Sequence, residues 1–284
     1  MTEFSSICAA TIYYSFDSST VSGSTLRNQG AGGSAYDAIL HGSPAVDTVN
    51  KIVGTGAMYL VTASSQYIQI PPFTTGNTGQ SFAFWFKFMG SMSVSGSGSR
   101  VFDFGNGGPA DNIVFCLRLT YNYFEVYVAN GAVPYAEFLS NDVNVNDGVW
   151  RHVVWTIDTS GNFLVYLNGV LHSSFPTVFY PRNILRTYNY LGKDNWGVNS
   201  YTNGALDEFY MFPTVLDVPQ IQSLYLQGRK IKQIVRLKYH LLTFVILLLY
   251  FSIFSYFVPR YTSGSSNPFR FVILLRSFTY MQYN

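Results

Sequence analysis

The sequence is poor in charged residues and lacks several motifs of catalytic sites. Asp, Glu, Lys and Arg make up 11% of its 284 residues, whereas 48% are apolar. A chain of this length and composition can bury a large core, so global disorder is excluded. It has no glycine-rich phosphate loop ending in Lys-Ser or Lys-Thr and no Cys/His metal cluster. Asp103–Gly105 matches a kinase tripeptide, but no catalytic-loop sequence precedes it, so we interpret the match as chance.

Cysteine is scarce, and so are the marks of secretion. Cys8 and Cys116 do not make a disulfide framework. Two buried free thiols are the favoured interpretation, and one bridge between them is the alternative. No Asn-x-Ser/Thr acceptor occurs, and the first twenty residues lack the basic and apolar regions of a signal peptide. These features weigh against classical secretion.

Acidic residues are absent after Asp217. Up to Leu226 there are nine Lys and Arg against fifteen Asp and Glu, whereas the remainder has eight Lys and Arg and no acid. The two segments are therefore physically different. The acidic segment offers no basic stripe to neutralise phosphates, so we do not expect nucleic acid as a partner.

The strongest local pattern is a β-hairpin at Asp147–Gly169, with its turn at Asp158–Asn162. Apolar residues alternate along both strands: Val153, Trp155 and Ile157, then Phe163, Val165 and Leu167. The intervening positions are also mostly apolar or β-branched, which favours a central place in a sheet. Because no Ser or Cys nucleophile stands at a motif spacing from His152, we interpret it as a satisfied strand-end histidine.

At least ten short strands separated by turn signals, with almost no helix, predict an antiparallel sandwich or barrel. Phe82–Phe88 is apolar on both faces and is predicted to be another central strand. Pro213–Leu226 predicts a turn and one short helix with Ile221, Leu224 and Tyr225 on one face. We expect a single all-β domain over residues 10–228.

Several short segments carry a resemblance to a known family. They are Tyr14–Asp17, Asp37–Gly42, Ala57–Leu60, Gln66–Pro71, Ser81–Phe86, Asp147–Val154, Leu164–Gly169, Leu191-Gly192 and Gly204–Phe212. In order and spacing they resemble the laminin-G-like and pentraxin-like branch of the concanavalin A-like lectin/glucanase superfamily. The resemblance implies a two-sheet antiparallel jelly-roll sandwich over residues 10–228.

The resemblance also implies a calcium site. Pentraxins bind calcium through an Asp-Asn pair between two central strands, which Asp111-Asn112 resembles, and through a second cluster after a Leu-Gly. Here Leu191-Gly192 is followed by Lys193, so the expected ligands are Asp111, Asn112, Asp194 and Asn195. Lys193 stands where the family has a carboxylate, and its charge repels calcium. We therefore expect one weak ion or none, and the alternative is that both Asp-Asn pairs are ordinary turn residues.

Glycan binding is the activity that the resemblance implies most broadly. It uses exposed aromatic and amide side chains in rim loops, and the segment 195–201 offers Trp196, Asn199 and Tyr201. Tyr121–Tyr123 is a second candidate. We therefore expect a non-enzymatic domain that binds a glycan. The alternative is a structural or adhesion module that binds protein and no small ligand, because a chain this rich in Tyr exposes several by chance.

A glycoside hydrolase is the least expected function. The glucanases of the superfamily carry alternating carboxylates on one strand, in a Glu-x-Asp-x-x-Glu pattern. The nearest match here is Asp207-Glu208, whose side chains would point to opposite faces of a regular strand. We therefore interpret Asp207 as a residue that caps or braces its strand.

The C-terminal part is predicted to anchor the protein in a membrane. Residues 241–258 form an uncharged apolar run of about the minimum length for a bilayer-spanning helix. A basic linker, 229–240, precedes it, and a short tail, 259–284, follows. The excess of basic residues upstream predicts a single-pass anchor with the domain on the cytoplasmic side. The alternative is that this acid-free tail is not a selected segment and has been read through from AT-rich sequence.

The calcium expectation predicts that a chelator lowers the melting temperature, because an ion bound only by the folded state stabilises it. The substitution Asp111→Ala is expected to abolish the shift. Thermal melts of both proteins with and without chelator check this, and identical wild-type curves would refute the site.

Overall fold

The computed structural model describes residues 10–75, 77–88, 99–118, 123–140, 147–176, 179–197 and 201–228, and four single positions, 243, 245, 246 and 249. The chain divides into two compact units, Met1–Val235 and Arg236–Asn284. The predicted linker 229–240 and tail 259–284 lie outside the described residues, as does most of 241–258. No helix within the described ranges is both long and apolar enough to cross a membrane, and membrane anchoring stays a prediction.

The described part of the first unit is built from antiparallel strands, three short 3-10 helices and one α-helix, α1 (218–228). The strands are β1 (Ile12–Tyr14), β2 (Val21–Ser22), β3 (Thr25–Leu26), β4 (Ala38–His41), β5 (Ala45–Asp47), β6 (Ala57–Leu60), β7 (Tyr67–Ile70), β8 (Phe73–Thr74), β9 (Gln80–Phe88), β10 (Ser99–Gly105), β11 (Ile113–Arg118), β12 (Tyr123–Ala129), β13 (Tyr135–Leu139), β14 (Arg151–Ile157), β15 (Phe163–Leu167), β16 (Val170–Phe175), β17 (Leu185–Arg186), β18 (Tyr188–Leu191) and β19 (Gly204–Phe212).

Seventeen of these strands form two large sheets, and β8 pairs separately with β17. The eight-stranded sheet has the order β16-β15-β14-β9-β19-β6-β5, with β1 paired to β19. The nine-stranded sheet has the order β13-β12-β11-β10-β18-β7-β4-β3-β2. Their facing sides bury one apolar core. The expected all-β sandwich of antiparallel sheets is therefore confirmed.

The predicted hairpin forms the centre of the eight-stranded sheet. Trp155 on β14 lies opposite Val165 on β15, and β14 pairs on its other side with β9. The hairpin strand β14 and the strand β9, which contains Phe82–Phe88, were both predicted to be central, and both lie in the middle of the sheet. Trp155 is fully buried, and its ring lies 5.6 Å from that of Phe82 and 5.4 Å from that of Phe163. Burial of these aromatic rings gives the core much of its apolar area.

His152 is buried on the opposite face of β14, and burial lowers its pKa to about 3. The imidazole is therefore neutral at physiological pH, which fits a structural role. Its Nδ1 has no hydrogen-bond partner among the described residues. The expectation of a fully satisfied histidine was wrong in that detail.

The predicted short helix is confirmed and covers the outer face of the eight-stranded sheet. Ile221 and Leu224 of α1 pack with Ala83 and Val154, and Tyr225 stacks on Trp85 at 5.7 Å. Asp217 Oδ1 accepts the backbone N–H of Gln220, so the helix begins with a side-chain cap. The outer face of the nine-stranded sheet carries the surface described below.

The acidic pair on β19 does not follow a regular strand. Asp207 lies opposite Trp85 and Tyr210 opposite Ala83, so β19 has one extra residue there and Glu208 takes a φ of +53°. This bulge puts both carboxylates on the same face. Asp207 accepts the backbone N–H groups of Ile52 and Val53, as expected of a brace. The expectation that the two side chains point to opposite faces was wrong, because the pattern cannot show a bulge.

Glu208 is buried and accepts hydrogen bonds from the hydroxyls of Tyr13 and Tyr210, while its second oxygen has no partner within the described ranges. Burial raises the pKa of Glu208, and burial together with the Glu208 charge raises that of Asp207. Both carboxyls therefore hold protons in the folded protein at pH values where the unfolded chain has lost them.

This difference predicts that the free energy of unfolding falls as the pH rises from about 5 to 8, since the folded state binds more protons. Glu208→Gln keeps a hydrogen-bond acceptor but does not titrate, so it is expected to flatten the dependence. Urea unfolding at both pH values measures it. Trp155→Phe, the control, should lower stability equally at both. An equally steep dependence in Glu208→Gln would contradict the prediction.

Candidate functional site

A groove of about 270 Å³ lies on the outer face of the nine-stranded sheet. Its floor comes from β10 to β13, and its sides come from the turn before β11, the turn before β13 and the loop after β18. The lining residues are Arg100, Pro109, Val114, Arg118, Glu125, Tyr127, Ala132, Tyr135, Glu137 and Trp196. Strand alternation explains the set, since Val114, Tyr127 and Glu137 lie opposite one another in register across three strands.

Three aromatic side chains shape the groove. The Trp196 ring meets the Tyr127 ring edge to face, with centroids 5.8 Å apart. Tyr135 stacks on Tyr127 at 5.3 Å and is half exposed. The guanidinium of Arg100 lies over the Trp196 ring, 5.1 Å from its centre, in a cation–π contact. The result is a partly exposed aromatic surface with fixed ring orientations.

Gly108 permits the close approach of the Trp196 loop. A Cβ on this residue would lie 2.8 Å from the Cα and ring atoms of Trp196. Any larger residue would therefore push the indole away from the groove.

The charged residues of the groove are largely paired with each other. The guanidinium of Arg118 binds Glu125 and lies 3.9 Å from Glu137. Arg100 lies 3.9 Å from Asp103 and donates a hydrogen bond to the Cys116 sulfur at 2.7 Å. Burial and the nearby Glu125 charge raise the pKa of Glu137. The groove thus presents both hydrogen-bond donors, from its arginines, and hydrogen-bond acceptors, from its glutamates, with little net charge.

Cys116 is a fully buried free thiol in the described part of the chain. Burial raises its pKa to about 11, against the opposing effect of Arg100. Since the thiolate is the reactive form, Cys116 is not a nucleophile at neutral pH. Cys8 lies outside the described residues.

The asparagines of the two predicted Asp-Asn pairs converge on Asp103. Asn112 Nδ2 donates to Asp103 Oδ1 at 2.7 Å. Asn195 donates its side chain to the same oxygen at 2.9 Å and its backbone N–H to Oδ2 at 3.0 Å. Burial raises the pKa of Asp103 to about 6, against the opposing effects of Arg100 and both asparagines. The sequence reasoning missed Asp103, whose signal was a lone acid at an outward position of an otherwise buried strand.

Three of the four predicted calcium ligands make hydrogen bonds to other protein groups in this arrangement. Asp111, at a φ of +62°, directs Oδ1 at the guanidinium of Arg182 and the backbone N–H of Gly131. Asn112 and Asn195 present amide nitrogens, not oxygens, to Asp103, while Asp194 is buried. No cluster of three or more His, Cys, Asp or Glu suited to a metal occurs among the described residues. Calcium binding stays a prediction.

The predicted glycan-binding residues separate into two places. Trp196 lines the groove, whereas Tyr201 forms a β-bridge with Lys193 and lies against Tyr67 at 6.2 Å. Asn199 lies outside the described residues, as do Tyr121 and Asn122. Sequence proximity suggested one platform, but Trp196 contacts Tyr127 whereas Tyr201 contacts Tyr67.

The sequence comparison decides the family. The Laminin_G_3 family model, described as Concanavalin A-like lectin/glucanases superfamily, matches residues 62–222. The chain belongs to this superfamily. The resemblance drawn from the short segments is therefore confirmed. A search of curated proteins found no match.

Two of the similar solved structures are described as binding domains. The binding domain of Paraclostridial Mosquitocidal Protein 1 is 11% identical, with a TM-score of 0.58 over 76% of this chain and 52% of that chain. Botulinum neurotoxin serotype D ligand binding domain, in complex with N-acetylneuraminic acid, is 14% identical, with a TM-score of 0.57 over 79% and 52%. This chain therefore spans about half the length of these toxin domains.

A third structure matches over nearly its whole length. Domain 4 of AbnA, a GH43 extracellular arabinanase from Geobacillus stearothermophilus, in complex with arabinotriose, is 22% identical. Its TM-score is 0.52 over 76% of this chain and 98% of that domain. At these identities the likenesses establish the fold alone.

The convergence on Asp103 predicts that Asp103→Asn destabilises the protein by about 1–3 kcal/mol, because buried amide donors lose their acceptor. The loop with Asn195 and Trp196 should loosen, so acrylamide should quench more tryptophan fluorescence. Urea unfolding and quenching measure the two effects. Asp158→Asn, in an exposed turn, controls for a general loss of charge. Unchanged quenching would contradict the anchoring role.

Proposed function

We propose that this protein is a non-enzymatic glycan-binding domain and that the groove at Trp196 is its binding site. The observation that carries the proposal is the fixed aromatic surface of Trp196, Tyr127 and Tyr135 beside paired charged side chains. A sugar ring offers an apolar C–H face and a rim of hydroxyls. Aromatic rings pack against the C–H face, and charged or amide groups form hydrogen bonds with the hydroxyls.

The charged groups suit hydroxyl recognition. Arg118 supplies planar N–H donors, and Glu125 and Glu137 supply acceptors within the same groove. Because the opposite charges already pair, a neutral hydroxyl can join the network without leaving a buried charge uncompensated. The groove therefore favours neutral sugars over ions.

Binding without catalysis is supported by the state of the carboxylates. A glycosidase needs one carboxyl on each side of the scissile bond. In the groove, Glu125 and Glu137 both lie against Arg118, an arrangement that favours a structural ion-pair network. Asp207 and Glu208 are buried on the other sheet, away from the groove.

The comparisons support this function by analogy. The AbnA domain is described in complex with arabinotriose and the serotype D toxin domain in complex with N-acetylneuraminic acid. Domains of this fold thus take neutral and acidic sugars. The structural or adhesion alternative predicts no binding of any small glycan.

The proposal predicts that Trp196→Ala in the full chain weakens glycan binding about tenfold or more, since loss of one stacking ring removes on the order of 1–2 kcal/mol. A glycan array with the full chain identifies the ligand, and calorimetry gives the affinities. Trp150→Ala is the matched control, because this half-buried tryptophan precedes β14 on the other sheet.

Equal affinity of the Trp196→Ala and wild-type proteins would reject the groove as the site. The absence of any bound glycan on the array would reject the function in favour of the structural alternative. Equal losses in Trp196→Ala and Trp150→Ala would point to a general loss of stability.

A further inference from the structure

A second aromatic cluster lies on the same sheet face as the groove. Tyr67 and Tyr190 stand on the neighbouring strands β7 and β18, with ring centroids 5.4 Å apart in an edge-to-face contact. Lys193 Nζ lies 4.5 Å from the Tyr67 ring centre and 4.7 Å from that of Tyr190. His41 stacks flat on Tyr67 at 4.3 Å. These four residues, here called the lysine cradle, are all partly exposed.

The charge of Lys193 is held but not neutralised. No described carboxylate lies within 4.0 Å of its Nζ, in contrast to the paired arginines of the groove. Two ring faces attract the ammonium, and each such contact leaves its full positive charge in place. The cradle thus presents a cation of fixed position to solvent, which is what recognition of an anionic group requires.

One loop positions both surfaces. Gly192, at a φ of +81°, turns the chain after β18, and Lys193 then bridges to Tyr201. Asn195 is fixed on Asp103, and Trp196 follows into the groove. The loop therefore sends Lys193 to one side of Asp103 and Trp196 to the other, so a single set of hydrogen bonds sets their relative position.

The two surfaces lie on one cross-strand row of the sheet, on either side of the loop that covers the buried Asp103. Tyr190 lies opposite Asp103, Asp103 opposite Val114, and Val114 opposite Tyr127. Three strand spacings of ~4.8 Å put the Tyr190 and Tyr127 positions roughly 15 Å apart. A single oligosaccharide chain can reach both.

We infer that the lysine cradle is a second subsite for an acidic sugar of the same glycan chain, recognised through a carboxylate or sulfate ester on Lys193. The inference rests on the proposed function, since the groove holds the neutral part of the chain. The ligand class is then an acidic oligosaccharide rather than a neutral one. Lys193, which counts against calcium, becomes the residue that selects the ligand.

The test pairs each acidic probe with its neutral counterpart. A galacturonate trisaccharide is compared with its carboxyl-reduced form, and sialyllactose and sulfolactose are each compared with lactose. Calorimetry with the full chain should show at least one acidic probe binding about tenfold more tightly than its partner, as expected for one charge-assisted hydrogen bond. Rising salt should weaken the acidic probe more. The probe that gains distinguishes carboxylate from sulfate.

Lys193→Gln should abolish the preference and leave the neutral partner's affinity unchanged, while Lys193→Arg should retain it. Lys87→Gln removes the same charge from the other sheet and should change neither affinity. A wild-type protein that binds acidic and neutral probes equally would overturn the inference and leave the proposed function standing. The inference would also be overturned if Lys193→Gln lost stability but still preferred the acidic probe, or if Lys87→Gln lost the preference to the same extent as Lys193→Gln. Failure of every probe, neutral ones included, would overturn both.

Discussion

The buried carboxylate of Asp103 is the constraint on which the candidate site depends. It lies on a central strand of the nine-stranded sheet and accepts hydrogen bonds from asparagines in two different loops. Burying a carboxylate is costly, and only several N–H donors and the nearby Arg100 make it tolerable. Because an unpaired carboxylate would be so unfavourable, the loops can adopt only the few arrangements that supply Asp103 with hydrogen bonds. The arrangement observed here sets the positions of Trp196 and Lys193.

The outer faces of the two sheets differ: one is packed against a helix, and the other is partly exposed to solvent. The outer face of the eight-stranded sheet is covered by α1, and burial raises the pKa of its carboxyl groups, Asp207 and Glu208. The outer face of the nine-stranded sheet keeps partly exposed rings and charges in register across many strands. Because alternate residues of each strand belong to the common core, the displayed residues stand on a rigid base.

Sequence patterns predicted the fold well and the site in part. The hairpin and the strand Phe82–Phe88 were placed correctly, since alternation and apolar runs report burial directly. The Glu208 bulge was missed because an inserted residue leaves no periodic signal. Trp196 was singled out from the sequence and lines the groove, but its partners Tyr127 and Tyr135 come from strands distant in the chain. Cross-strand register, which a single sequence does not specify, decides such groupings.

The asparagines of the two Asp-Asn pairs meet at one carboxylate. Asn112 and Asn195 both donate side-chain hydrogen bonds to Asp103. An ion at the centre of such loops needs oxygens turned inward, whereas Asp103 needs amide nitrogens turned inward. Asparagine can supply either by rotating its amide. The central group therefore determines what the same two loops contact. With Asp103 in place, both loops are held on one carboxylate, and the second of them carries Lys193.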